Sequence, residues 1–469
     1  MQYTETPSRS HRIEEIGVTS DSLTSRAGLI PFVRYLVESS IFPVLESLFG
    51  RIRKSSKGQP ISEIFKQLFV FFADGTSRHL TRFDALREDP DYARTVESPH
   101  GQLLSSHAIK RFFKAFSLPL CHAFRKLLRH LFLWRLKLAR PEVILLSLDT
   151  VVLNNDDAFK RHGVQPTYKK VKGFQPLQLS WKRFVIDVIF RRGDKHSNYG
   201  NDAIRMLRTV AKLIRTEYGE SVPILVRMDS GFFDEKLFAK LEELDIGYLC
   251  AGRLYDPIRE KARERETWQR YTNDRQEWRL FEFEDQRESW PSARRAIYSQ
   301  PVYEDRQRLL EFARPDTVIY TNLGRGERID ELLKEAGHGD WTKAVEILRL
   351  YHDRGRDELV HRAVKEFVDQ KLPFKRFGPN MAYYFTALVA FFLFEAFKED
   401  VCDEVVPLEA YPNTLRRLIF DQAGKIVRHA GRIALKVTQA VWNLLQLDRL
   451  WEKAHRPPTI PAFCPAHRG

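Results

Sequence analysis

Tyr351, Arg354, Glu358 and Lys365 stand at offsets of 3, 7 and 14 residues within the stretch YHDRGRDELVHRAVK. At the helical period these offsets confine the four side chains to a stripe about 60° wide. One carboxylate in a row with a phenol and two cations suits a metal ligand flanked by groups that hold phosphate. A solvated helix face with a fortuitous Glu–Lys spacing is the plain alternative. Two further carboxylates bear on the choice. Asp149 ends the apolar run Val143–Leu148, and Asp229 ends Pro223–Arg227 within the turn Arg227-x-Asp229-Ser230-Gly231-Phe232. Acids at the carboxyl ends of strands are often only caps for the next turn. Taken with Glu358 they form a three-carboxylate set able to hold two Mg²⁺ or Mn²⁺ ions, because hard cations prefer carboxylate oxygens and leave positions open for water and phosphate. Two such ions serve in-line displacement at phosphorus. Asp156, Asp157 and Asp187 are the nearest competing acids.

The elements that must position these residues follow from periodicity. Residues 28–95 carry apolar side chains at helical spacing, for example Ile61, Ile64, Phe65, Leu68 and Phe71. Ser98 to Pro141 contains nine Lys or Arg and no Asp or Glu. There Lys110, Arg111, Lys114, Arg125, Lys126 and Arg129 interleave with Phe112, Phe113, Phe116, Phe124 and Leu128, which predicts amphipathic basic helices facing phosphates. Strands are predicted at 143–148, 177–181, 184–190, 223–227 and 246–251, with helices at 201–218 and over Leu237–Leu244. Three strands, helix, strand, helix, strand is a mixed α/β layer. Residues 253–315 interrupt that alternation, with strand candidates at 278–283 and 296–302 and another at 317–322. Thr414–Gln446 is a second basic zone, with Arg416, Arg417, Lys425, Arg428, Arg432 and Lys436 against the single acid Asp421.

Composition narrows the class. The chain has 469 residues, 43% of them hydrophobic, and a net charge of +14. That charge, if clustered, points to a polyanion such as nucleic acid or an anionic membrane. The four cysteines have no paired spacing and read as reduced thiols. Cys464 and His467 resemble half a zinc site without a second half. No secretory signal is expected, because the N-terminal stretch through Ser25 is polar and has no apolar core. The apolar run Met381–Phe394 is shorter than the ~20 residues of a membrane span and is expected to be a buried core helix. A soluble, cytoplasmic protein is expected.

Asp149, the turn around Asp229 and the Tyr351/Arg354/Glu358/Lys365 row together resemble the DDE transposases of bacterial insertion sequences, in the group defined by a Tyr-Arg-Glu-Lys signature. The resemblance spans roughly residues 28–445, including a helical end-binding region at Ser106–Phe116 and Thr414-Leu415-Arg416. This chain differs in placing His-Asp after Tyr351 and Gly355 within the helix. The resemblance implies an RNase H-like core (142–252 and 325–400) with a β-rich insertion (253–324). Before it comes an all-α basic DNA-binding domain (28–141), itself preceded by a disordered segment (1–27). A basic helical region with a disordered tail (401–469) follows. It also implies cut-and-paste chemistry on double-stranded DNA, with Asp149, Asp229 and Glu358 as ligands of two Mg²⁺ or Mn²⁺ ions. Tyr351, Arg354 and Lys365 would contact phosphates, aided by Lys110, Arg111, Lys114, Arg416 and Arg417. Relatives act as dimers on paired ends, and some stack a flipped base on a tryptophan, for which Trp268, Trp278 and Trp290 are candidates. A metal-dependent nuclease without strand transfer, or a DNA-binding protein without catalysis, are the competing uses of the same residues.

Overall fold

A computed structural model describes residues 13, 15–52, 58–99, 101–272, 276–302 and 316–463, with the side chains of 355–358 outside that description. Cys464 and His467 lie outside the described residues.

Runs rich in Val, Ile and Leu form the strands of one nine-stranded sheet. In chain order these are β1 (Ile144–Thr150), β2 (Leu177–Trp181), β3 (Phe184–Ile189), β4 (Ile224–Met228), β5 (Ile246–Ala251), β6 (Gln269–Thr272), β7 (Glu277–Asp285), β8 (Arg294–Val302) and β9 (Thr317–Thr321). Their spatial order is β6-β7-β8-β9-β5-β4-β1-β2-β3. Within the first five, β1, β4 and β5 run parallel, while β2 is antiparallel to both β1 and β3. This is the RNase H-like arrangement that the resemblance implies. The strands of the β-rich insertion do not form a separate layer. β9 pairs antiparallel with β5 through Ile319↔Ala251, Tyr320↔Cys250 and Thr321↔Leu249, so the insertion extends the same sheet past its edge. Closing an exposed edge in this way removes a row of unpaired backbone groups.

Helices cover the sheet. Those that bear on the site are α1 (Ile61–Asp74), α2 (Ser106–Lys114), α3 (Leu118–Ala139), α4 (Asp202–Glu217), α5 (Glu235–Glu243), α6 (Ala344–His352), α7 (Gly355–Val368) and α8 (Phe377–Val401). Ser105 caps α2, accepting from Ala108 N at 3.2 Å, and Ser117 caps α3, accepting from Leu120 N at 3.3 Å. Such caps satisfy amides that the first helical turn leaves unpaired. α8 is long and apolar enough to cross a membrane by composition, yet its most apolar window is wholly buried. It is the hub of the core. Phe385 stacks on Phe124 of α3, Tyr383 meets Phe72 of α1, and Phe391 meets Phe367 of α7.

Several charged residues sit otherwise than the sequence predicts. Arg125 of α3 does not face solvent. It donates two hydrogen bonds of 2.7 Å to the fully buried Asp187 of β3, with Arg129 at 3.8 Å. Asp187 is therefore half of an ion pair between helix and sheet, not a competing active-site acid. Arg416 is also buried. Its guanidinium donates to the carbonyls of Phe72 and Ala73 at 2.9 and 2.8 Å, closing the C-terminal end of α1, where a cation meets the negative end of the helix dipole. Arg416 thus holds two segments of the chain together, while Arg417 is exposed.

The second basic zone is not simply helical. Gly424–His429 and Arg432–Lys436 form an antiparallel hairpin. Leu23–Thr24, within the segment expected to be disordered, adds a third strand to it. The reason is visible in the side chains: Lys-Ile-Val-Arg-His and Arg-Ile-Ala-Leu-Lys favour a strand through their β-branched residues, and Ala430-Gly431 supplies a turn.

Candidate active site

The register of the parallel pair β1 and β4 builds the site. Ile144 to Leu148 pair in step with Ile224 to Met228, so the next residue on each strand is Asp149 and Asp229. Neighbouring strands lie roughly 5 Å apart. Two carboxylates therefore stand side by side at the carboxyl edge of the sheet. Asp149 accepts the Thr150 amide at 2.6 Å, and Asp229 accepts the Gly231 amide at 2.9 Å. Gly231 is needed for that approach: a Cβ there would lie 2.8 Å from Ser197 Oγ and 3.0 Å from Asp229 Oδ1. Burial, with the negative charge of Asp149, raises the Asp229 carboxyl above its ordinary range, while Arg354 and the Gly231 amide oppose the rise.

The signature row does not lie on one continuous helix. α6 ends at His352, Asp353 and Arg354 form a turn, and α7 begins at Gly355. Gly355 is a poor helix former, by about 1 kcal/mol relative to alanine, and the helical run breaks immediately before it. On either side of the break, Arg354 and Lys365 come within electrostatic reach of Asp149. Tyr351 is buried and hydrogen-bonds Arg354, and its phenol is pushed up to about 12, chiefly by burial. The Arg354 guanidinium lies 3.7 Å from Asp149. Arg227, from the turn motif, donates to the Leu350 carbonyl at 3.0 Å and so pins the end of α6 to β4.

Glu358 is a backbone position in the first turn of α7, with its side chain outside the described atoms. One turn further, His361 Nε2 is 3.2 Å from Asp149 Oδ2, which brings α7 against the end of β1. Lys365 is half-buried. Its ammonium is shifted down by burial and by Lys169, with Asp149 opposing. Among the described residues no three His, Cys, Asp or Glu are grouped to hold a metal. The crowded pair Asp149 and Asp229 is nonetheless a hard oxygen donor set whose mutual repulsion a divalent cation would relieve, so the chemistry of the site fits Mg²⁺ or Mn²⁺.

Asp156 and Asp157 do not join the pair. Asp156 accepts the Lys172 amide at 2.6 Å, and Asp157 pairs with Lys371. Lys110 is half-buried on α2, with Arg111 and Lys114 exposed beside the buried Ile109, Phe112 and Phe113. Of the three tryptophans, Trp290 is buried against Phe233 and Tyr320, and Trp268 lies beneath the Arg279 guanidinium. Trp278 packs on His352, centroid to centroid 4.3 Å, beside the signature turn.

That contact has a pH signature. Burial holds the His352 imidazole at about 4 against an ordinary value of 6.5, with Asp353 opposing. Between those values the unfolded chain binds a proton that the folded chain does not. Stability therefore falls as pH drops through 6.5 and levels off near 4, by ~2 kcal/mol after allowance for residual solvent. Urea midpoints of His352→Gln between pH 7.5 and 4.5 should fall less steeply than those of the unaltered protein. Equal slopes would place the acid sensitivity elsewhere.

Sequence reasoning misses His361 and the turn of Tyr168 and Lys169. His361 carries a signal, since it lies one turn from Glu358. Tyr168 and Lys169 sit in a turn closed by Thr167 N donating to Val171 O at 2.9 Å. Partial desolvation and the charges of Asp149 and Asp229 push the Tyr168 phenol up to about 12, and Lys169 bears on Lys365. A short polar turn has no motif to betray it.

Residues 9–453 match the family described as Transposase DDE domain group 1. No curated protein matches the chain. Among solved structures it is similar to the piggyBac transposase synaptic complex with hairpin DNA, at 11% identity over 94% of this chain and 86% of that one, with a TM-score of 0.39. Two strand-end aspartates with Arg354 and His361 beside the first of them stand within a family match that takes in nearly every residue, and the chain belongs to the DDE transposases of group 1.

Proposed function

We propose that this protein is the transposase of an insertion sequence, cutting double-stranded DNA at the element's ends and joining the freed ends to a target. The observation that carries this is the β1/β4 register, which sets Asp149 beside Asp229 with α7 against them. Asp149 and Asp229, with Glu358 from α7, would hold two divalent ions. When bound, such a pair activates an attacking oxygen and stabilises the leaving one in displacement at phosphorus.

The chain's own residues do the rest. Arg354 neutralises Asp149 and stands ready for an incoming phosphate, to which a guanidinium offers a planar fork of donors. Tyr351 holds Arg354 by its phenol. Lys365, with Lys169 beside it, provides cationic charge for the strand near the scissile bond. Lys110, Arg111 and Lys114 on α2 add contacts to the duplex further out, and two copies acting together would pair two ends.

The test is incubation of the protein and Mg²⁺ with a plasmid that carries the DNA flanking its gene. Nicks ending in 3′-hydroxyl and joined products are expected, and EDTA should suppress both. Nicking without joining would favour a nuclease, and binding without nicking would overturn the enzyme reading. Lys365→Ala should weaken duplex binding and lower the slope of log affinity against log salt by about one. An unchanged slope would remove Lys365 from the phosphate contacts.

A further inference from the structure

We propose that the hairpin of Gly424–His429 and Arg432–Lys436 is a DNA-contacting ribbon, with the phosphate backbone of a duplex as its occupant. This builds on the transposase reading and adds a surface that neither the catalytic edge nor α2 supplies.

The register puts the like charges of Lys425 and Lys436 opposite each other, and on the same face Arg432 stands across from His429, with the small pair Val427 and Ala434 between them. Directly opposed cations destabilise a hairpin unless an anion lies over them. Lys425 is relieved by Asp21 at 2.8 Å. Among the described residues, Arg428, Arg432 and Lys436 have no ion-pair partner, and residues 422–447 contain no acid. The other face carries Ile426 and Leu435 toward the base, which Leu23–Thr24 clamps, and the exposed Arg428 nearer the tip, so Arg432 and Lys436 lie on one side of the ribbon and Arg428 on the other. At the tip Ala430 and Gly431 have φ of 49° and 76°, the left-handed pair that a two-residue hairpin turn requires. An alanine held there argues that this tight turn is fixed by the paired strands. A strand as long as Gly424–His429 spans ~20 Å, and a two-stranded ribbon fits the major groove, about 12 Å wide.

The segment that leads into the hairpin is anchored to α7, the helix that carries Lys365. Asn413 N donates to Glu366 of α7 at 2.7 Å, and Arg362 of α7 lies over Tyr411 at 4.7 Å. A duplex bound along this segment would meet Lys365 and the ribbon together.

The test is fluorescence anisotropy of a labelled linear duplex with the full chain across a salt series. Arg432→Gln/Lys436→Gln should lower the salt slope by about two. Its melting temperature should not fall, because both positions are exposed and the substitution relieves repulsion between Lys425 and Lys436. Arg432→Glu should weaken binding further than Arg432→Gln. The matched control is Lys137→Gln/Lys334→Gln. Lys137 lines a cavity with Glu142 and Pro223 at the amino ends of β1 and β4, and Lys334 is in the same helical segment as that cavity's Glu335. The control should keep the full slope. An unchanged slope in the hairpin variant, or an equal drop in the control, would overturn the ribbon and leave the catalytic reading standing. Failure of the unaltered protein to bind duplex DNA would overturn both.

Discussion

Asparagine in place of Asp149 should cut Mg²⁺-dependent DNA cleavage by about 10³-fold or more, while duplex binding stays equal or tightens. A loss of that size corresponds to about 4 kcal/mol of transition-state stabilisation. The substitution is nearly isosteric, and its carbonyl can still accept the Thr150 amide that Asp149 accepts now. What disappears is one negative charge at the end of β1. That charge faces the Arg354 guanidinium at 3.7 Å, so its removal leaves surplus positive charge where phosphate would bind. Cleavage and binding should separate: the first fails for want of a hard anionic ligand, the second loses only repulsion. Cleavage at the unaltered rate would show that the wrong acids have been chosen. Weak binding with a lowered melting temperature would instead mean that Asp149 is a structural residue.

The second large effect is on stability and concerns an acid that the sequence sets among the active-site alternatives. Asp187→Ala should lower unfolding free energy by about 3–5 kcal/mol, because it strands Arg125 beside a buried strand without the carboxylate it hydrogen-bonds. Asp187 has no solvent exposure, and it holds Arg125 through two hydrogen bonds and accepts the Val188 amide at 2.8 Å. Arg125→Met with Asp187→Leu should restore most of the loss, since well-packed apolar residues often replace a buried pair at no cost. Denaturant midpoints measure this directly. Cleavage per folded molecule should be untouched in the double variant. A stable Asp187→Ala protein without cleavage would return Asp187 to the active site.

These two aspartates show where sequence reading succeeds and where it stops. Both end or interrupt strand-like runs, and period-2 and apolar patterning locates those strands to within a residue or two. Patterning cannot say what lies opposite. Asp187 meets α3, far earlier in the chain, whose arginines read as a solvent-facing row because their segment holds no acid. Arg416 is misplaced for a related reason, since its acceptors are backbone carbonyls at the end of α1 and carry no sequence signal. In the Thr414–Gln446 zone charge alone suggests helix, although the alternation in Lys425–His429 and the Ala430-Gly431 pair point to a hairpin. The break before Gly355 follows from helix propensity, but the approach of Arg354 to Asp149, with Tyr351 bonded to Arg354, does not.

By itself the chain's chemistry determined the strands that end in Asp149 and Asp229, the Tyr351–Lys365 row and the buried character of α8, because each is local patterning of side chains along a backbone of known period. Only the tertiary structure decided which charges face one another. Strand register brings Asp149 beside Asp229, helix packing turns Arg125 and Arg416 inward, and the hairpin aligns its cations outward. Electrostatic interactions act through space over a few ångströms, and which groups come that close is set by folding rather than by their separation along the chain.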